Sequence, residues 1–463
     1  MRRTERASAA AARLPRTSLP ARALLAGVLG AAAAAAPCAA TAPSTAARWV
    51  VVNCDDDGPG SLRTAVRDLA ASGDTIDLSQ LACSTITLTT GAIATGLDDL
   101  TLVGSEAGIG ISGDDRFPVA VHLGSGTMSF RHVSIVHGYK YNGTDAARGG
   151  CIYSLGSVAL NDVTLAYCVA HGPTAAAGGG VFAAGNLVMI DSIITGAAAR
   201  TDGGGAQGGG AMVGGVLAAK YSALTNNVAS AQAGPGFSSC GAAAAGGASV
   251  IGSSIVGNVA DYFGGLCAND ANAATPLVVR NSTVSDNASL GASPSTGGTG
   301  INAQGALVLA NSTVSHNTQA ASGDSVGVYV RTSAAIDSSI IANNVAGSGA
   351  AVHGADLGGG PSATVAGSHN LIQVSTLALP PDTLNADPQL GQIGVHLGGR
   401  PTAYVRTPAN GSPVVDAGSN PFDLEFDQRG APYLRISAAA VDIGAVELQR
   451  ERIFADGFDD GLL

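Results

Sequence analysis

The stretches NSTVSDN (281–287) and NSTVSHN (311–317) differ at one position and lie thirty residues apart. With the first residue of each as a phase marker, equivalent markers fall at Asp99, His132, Asp162, Asp191, Tyr221, Gly252, Asn281, Asn311 and Asp337, at intervals of 26 to 33 residues. The test of such a period is whether other positions align with it. Three residues after the markers stand Leu102, Ile135, Leu165, Ile194, Leu224, Ile255, Val284, Val314 and Ile340, all aliphatic. One residue after, the later coils carry Ser192, Ser222, Ser253, Ser282, Ser312 and Ser338. Six residues after, five successive coils carry Asn227, Asn258, Asn287, Asn317 and Asn343. Glycine pairs precede the markers at constant distance, at Gly149/Gly150, Gly178/Gly179 and Gly208/Gly209.

Within each coil the apolar residues alternate with the period of a strand rather than that of a helix. One coil cannot bury its apolar face by itself. Coils stacked ~4.8 Å apart pair their strands in parallel and bury a continuous aliphatic column. The expected fold is all-β: a right-handed parallel β-helix of about nine coils, the hand following from the rule for parallel crossovers. The asparagine row is expected to be a structural ladder in a turn, because Asn tolerates left-handed backbone angles and its amide bonds the copies above and below. A leucine-rich repeat is excluded by its shorter period and its absent L-x-x-L-x-L signature.

The remainder of the chain is expected to serve the ends and the export of this solenoid. Six arginines and an apolar run from Ala23 to Ala36 make residues 1–40 a signal peptide, with small residues for cleavage near Ala40 or Ala42. Of the 23 basic and 34 acidic residues, six Arg and one Glu lie in 1–40. The mature chain keeps 17 against 33, a formal charge of −16, which argues against nucleic-acid partners. No transmembrane span is expected after signal removal. Cys54, Cys83, Cys151, Cys168, Cys240 and Cys267 remain as disulfide candidates for an oxidising compartment, and pairing in sequence order is the simplest choice among fifteen. Residues 41–95 read as an N-terminal cap, with a helix from Ser61 to Gly73 that presents Leu62, Val66 and Leu69 on one face. Residues 96–360 are the repeats, 361–448 a C-terminal cap and 449–463 a tail.

CDDDGPGSLRTAVRDLAASGDTIDL (54–78) loosely resembles the N-terminal leader of exported β-helix proteins with a Cys-Ser-Leu-Arg-Glu-Ala type motif; here Cys54 stands apart from Ser61-Leu62-Arg63. GSHNLI (367–372), NADPQLG (385–391), GSPVVDAG (411–418), DQRG (427–430) and DIGAVE (442–447) resemble the choice-of-anchor Q domain of bacterial right-handed β-helix proteins in the pectin-lyase-like superfold. IFADGFDD (453–460) resembles a short tail on exported Gram-negative proteins. The resemblance implies a secreted or outer-surface location and no activity.

β-Helices include polysaccharide lyases and glycosidases. Such lyases bind Ca²⁺ with carboxylates and use an Arg or Lys base, while glycosidases need two carboxylates ~5–9.5 Å apart. The lengthened loops offer Tyr139, Lys140, Tyr141, Asp145 and Arg148 in one coil, Asp261, Tyr262 and Phe263 in another, and His353 and Asp356 further on. Asp286 and His316 share a phase in neighbouring coils and should be adjacent. Tyr139 and Tyr141 are suited to stacking on sugar rings. No zinc spacing or calcium loop appears and no cofactor is expected; Asp55–Asp57 and Asp456/Asp459/Asp460 are where Ca²⁺ would find hard oxygen ligands. No set of catalytic residues is complete. The leading expectation is a non-enzymatic exported protein, an adhesin or envelope-associated binding protein, with glycans or other cell-surface components as partners. The alternative is a polysaccharide lyase or glycoside hydrolase acting through the stacked loops.

Overall fold

The computed structural model describes residues 46–231, 239–268, 276–291, 297–321, 325–347, 354–396 and 398–449. The signal segment 1–40 and its cleavage site, His353 and the IFADGFDD tail lie outside the described residues. The chain winds through about ten turns of a parallel β-solenoid. A representative coil runs through Ile152–Ser154, turns, passes along Ser157–Ala166, which bends once at Asp162, and leaves by Val169–Gly172. Pairing with the next coil is parallel throughout: Ile152 with Val181, Leu160 with Met189, Leu165 with Ile194, Val169 with Ala198.

The aliphatic positions found by periodicity point inward. Ile194, Leu224, Ile255, Val284 and Val314 are fully buried, and one apolar cluster extends from Val51 to Ile372. Each such side chain contributes about 1.5–3 kcal/mol of transfer free energy, so the stack is held mainly by its core. The second glycine of each pair lets coils approach: a methyl group on Gly150 would strike the Gly179 carbonyl, and one on Gly179 would strike Ala198 and Gly209.

The two polar rows are hydrogen-bonded ladders. The hydroxyl of each serine accepts from the backbone N–H of the row residue before it, from Val163 to Ser192, Ser222, Ser253, Ser282 and Ser312. The Oδ1 of Asn258 accepts from both the backbone and the side-chain amide of Asn227, and the pattern repeats through Asn287 and Asn317. Two sequence expectations are corrected. The ladder ends on Asn344, not Asn343, and Asp356 closes it by accepting from Asn344. The left-handed backbone lies one residue before the ladder, at Asn226, Gly257, Asp286, His316 and Asn343.

The first correction has a simple cause. The true last marker is the left-handed Ser338, since Thr313 pairs with Ile340 and Val314 with Ile341. Sliding the frame by one exchanges Ser338 for Ser339, Ile340 for Ile341 and Asn343 for Asn344, so the pattern reads equally well in either frame. At the other end the partner of Ile135 is Ile111, whereas Leu102 pairs with Phe130 on the preceding strand column, so Asp99 is not an equivalent marker.

At the N-terminal end, Ser61 accepts from the Thr64 N–H and opens a short α-turn, Leu62–Thr64, that widens into a π-turn, Ala65–Leu69. The wider turn changes the expected face: Leu62 and Val66 are buried, but Leu69 is exposed. Arg63 ties this cap to the stack through Asp56 and the carbonyls of Gly91 and Ala92. The cysteines pair as Cys54–Cys83, Cys151–Cys168 and Cys240–Cys267.

Beyond Leu371–Ile372 the chain turns back and lies along the outside of the coils as a strap. Ser419 accepts from Asn311, Phe426 from Asn281 and Gln428 from Thr283, while the Thr402 and Tyr404 carbonyls accept from Ser254. The strands Ser254–Val256, Thr283–Ser285 and Thr313–Ser315 are consequently buried on both faces. The DQRG and DIGAVE motifs form the knot of the strap: Asp427 pairs with Arg429, Arg429 donates to the Glu447 carbonyl, and the fully buried Arg435 donates to the carbonyls of Asp442 and Gly444. No helix among the described residues is long and apolar enough to cross a membrane.

Candidate ligand groove

Between Tyr139 and Met212 the coils carry a side fin. Tyr139–Tyr141, Val169–Gly172, Ala198–Thr201 and Val228–Ala231 form one wall, and Ala147–Arg148, Ala175–Ala177 and Gly205–Gln207 the other. Buried alanines, Ala176, Ala199, Ala206 and Ala229, fill the space between them. Such small side chains allow the close approach of two backbones that the fin needs.

An open groove runs between the second wall and the body of the helix. One end is a depression of about 250 Å³ lined by Pro118, Val121, Lys140, Ala146, Arg148 and Tyr153. It continues past Arg148 into a hollow of about 540 Å³ bordered by Phe182, Gln207 and Met212. The floor is a row of outward side chains on successive coils, since Tyr153 pairs with Val121 and Phe182, and Phe182 with Met212. The Tyr153 and Phe182 rings stack 5.4 Å apart at 11°.

Two cations face this floor. Arg148 lies 5.4 Å above the Phe182 ring, and Lys140 closes the open end of the fin, at the register position that alanines occupy in the coils above. Neither belongs to an ion pair among the described residues. In a chain of formal charge −11, Arg148 over the Phe182 ring and Lys140 at the same depression concentrate positive charge beside an aromatic floor.

The residues singled out from the sequence fall in three places. Arg148 is in the groove, and Tyr262 lies in the same register row of its wall, through Ala177, Gln207 and Ser239, about 19 Å away as four coil steps of ~4.8 Å. Asp145 sits on the same loop and accepts weakly from the Thr174 hydroxyl at 3.4 Å. Asp261 precedes Tyr262, whose ring is tilted against Phe263, and Phe263 packs on the Cys240–Cys267 disulfide. Tyr139 and Tyr141 lie on the outer wall of the fin, away from the groove.

Asp286 and His316 are neighbouring corner residues beneath the strap. Arg406 donates to Asp286 at 2.6 Å and to Ser285 at 2.9 Å. His316 is half-buried, and burial, with Arg406 nearby, lowers its pKa below the usual imidazole range. This pair is therefore part of strap docking. In the acidic run, Asp56 accepts from Thr89, Thr90 and Arg63; burial opposes ionisation, but these donors together hold its carboxyl well below the usual range. The sequence reading named Lys140 and Arg148 among the loop residues of this coil but missed Tyr153 and Phe182 as the groove floor. Tyr153 and Phe182 are 29 positions apart, so their shared phase was available as a signal.

The fold and this flank define the class: a parallel β-helix with a fin-bounded cationic groove and a C-terminal strap. The crystal structure of pectate lyase Pel9A is similar to the chain at TM-score 0.44 and 11% identity, over 88% of this chain and 97% of that one. No protein-family model and no curated protein matches it.

Proposed function

We propose that this chain is an exported, surface-associated β-helix protein of a Gram-negative bacterium that holds an acidic glycan in the fin groove, as an adhesin or an envelope-bound binding protein. The observation that carries the reading is the placement of Lys140 and Arg148, without carboxylate partners among the described residues, over the Tyr153–Phe182 floor. A uronic acid chain offers the matching chemistry: carboxylates for the two cations and C–H faces for the rings. Export is supported by the signal-like leader, by three disulfides and by the likeness of the C-terminal motifs to the choice-of-anchor Q domain.

The same two side chains favour one other reading, a polysaccharide lyase in which Lys140 or Arg148, in its neutral form, takes the C5 proton of the uronide as the C4–O bond breaks and the leaving oxygen takes a proton from water, with Ca²⁺ arriving with the substrate. One experiment separates the readings. The purified protein is incubated with polygalacturonate and with neutral polysaccharides, with and without Ca²⁺, while binding, new reducing ends and unsaturated-product absorbance are followed. Saturable polygalacturonate binding without product, lost in R148Q, is the expected result. Unsaturated product that disappears in R148Q or K140Q would establish the lyase. Wild-type affinity for polygalacturonate in R148Q would remove the groove from either function.

A further inference from the structure

The outer wall of the fin carries a second feature that the groove does not use. Tyr139 and Tyr141 are two apart on one strand and so point to the same side. Their rings are nearly parallel, 7° apart, and stacked with centroids 6.5 Å from each other. Beside them, at the left-handed corner, Tyr167 stacks on His137 of the coil before at 5.5 Å and 25°. His171 meets Tyr141 edge-on at 5.5 Å, and its two ring nitrogens face the Tyr139 hydroxyl at 3.4 Å and Asp202 at 2.9 Å. The imidazole is thus oriented by residues of the coils on either side of its own.

Such rings are ordinarily buried. Here Tyr141 is 55% and Tyr167 60% exposed, in a chain that is only 4% aromatic. The register neighbour of Tyr139 in the next coil is the smaller Val169, while His171 stands beside Tyr141 edge-on. The core does not need these rings, because Ala170, Ala199 and Ala229 already fill the inner side of the wall.

We propose that this surface is a platform on which a neutral pyranose chain stacks its apolar face. Flat π-faces with phenol and imidazole groups at their edges match a sugar ring, which offers C–H bonds on its face and hydroxyls around its rim. Arg200, in register with Tyr141 and His171, stands at the edge as a further donor. Charge bears on the ligand. Asp115 on His137 and Asp202 on His171 place two carboxylates at the rim against the single guanidinium of Arg200, so the rim offers a polyanion no net attraction. The fin then separates two surfaces of opposite preference, a cationic groove and a platform with an anionic rim. The platform does not depend on the groove reading.

The test is binding of cellohexaose, with polygalacturonate alongside, to wild type, Y141A, Y139F and R148Q, with unchanged circular dichroism and thermal midpoint as the check on folding. Y141A is expected to weaken cellohexaose about three- to tenfold, the range of a lost ring contact, and to leave polygalacturonate unaffected. Y139F keeps the ring and is expected to bind as wild type does; R148Q keeps cellohexaose and loses polygalacturonate. Saturation-transfer NMR on the unaltered protein should show sugar C–H protons receiving magnetisation from tyrosine rings. Absent transfer, no saturable cellohexaose binding by wild type, or an unchanged affinity in Y141A would each overturn the platform, whatever R148Q does.

Discussion

Asn343 and Asn344 are adjacent, identical in chemistry and different in function. Asn344 is buried, and its Oδ1 accepts from two groups of Asn317 while its amide reaches Asp356 and Val314. Replacing it with alanine strands donors in a dry interior, which costs about 2–4 kcal/mol. Asn343 supplies a left-handed corner at φ 61°, the place that Gly257 takes in another coil, and its N–H bond to Gln373 is a backbone one. N343G should therefore stay within about 0.5 kcal/mol of wild type. Urea unfolding of N344A and N343G checks the contrast, and similar losses for both would show that the ladder does not end where the hydrogen bonds place it. The groove follows the same logic: Tyr153 and Phe182 stack because one register places them on successive coils.

At the scale of elements, the strap is the part with most to lose from one substitution. Arg406 is buried and joins Ser285, Asp286 and the Gly391 carbonyl. R406A leaves the part-exposed Asp286 without its countercharge, and strap docking should weaken by about 1.5–3 kcal/mol, the scale of lost hydrogen bonds to a charged group. Hydrogen exchange reads this directly: protection should fall across 394–447 and in the strands Thr283–Ser285 and Thr313–Ser315, while the coils before Tyr221 keep theirs. The knot also carries a pH dependence. Burial, with Asp442 nearby, pushes the Glu447 carboxyl up to about 7 from an ordinary 4.5. A carboxyl raised by folding favours the folded state when protonated. Its contribution is whole below pH 4.5 and is lost as the pH climbs to about 7. The thermal midpoint should fall over that interval, and E447Q should flatten the fall; an unchanged slope in E447Q would assign the effect to another group, such as Asp442, whose pKa burial also raises.

At the scale of the whole molecule, coils touch mainly their neighbours, so covalent links between coils limit how far one can open. Cys240–Cys267 joins adjacent coils across 27 residues, next to Met212 at the end of the groove floor. The C240A/C267A double variant should lose about 3 kcal/mol, the scale of closing a loop of that size, with the loss read as a lower urea midpoint. Its binding of polygalacturonate at Arg148 should persist, because the groove's cationic end lies coils away.

The sequence by itself determined the solenoid. Its evidence is a local pattern, apolar alternation with Ser, Asn and Gly at fixed phases, written many times over, so a slip of one residue at Asp337 and a marker on the wrong strand column at Asp99 left the fold unaltered. It also contained the serine and asparagine rows and the partners Cys54–Cys83 and Cys240–Cys267, because stacking converts a separation near thirty into contact; Cys151–Cys168, 17 residues apart, has no such phase. The repeat carries no information about anything that breaks it. Thr402 bonds the Tyr221 carbonyl across 181 residues, and no period announces such a contact. The strap therefore emerged only in three dimensions, and with it the docking of Arg406 on Asp286 beside His316, which phase had made look like a site. The groove and the platform were likewise decided by the tertiary structure. Which side of a strand faces the fin, the helix or solvent depends on how the long turns fold back, and residue type does not encode that geometry.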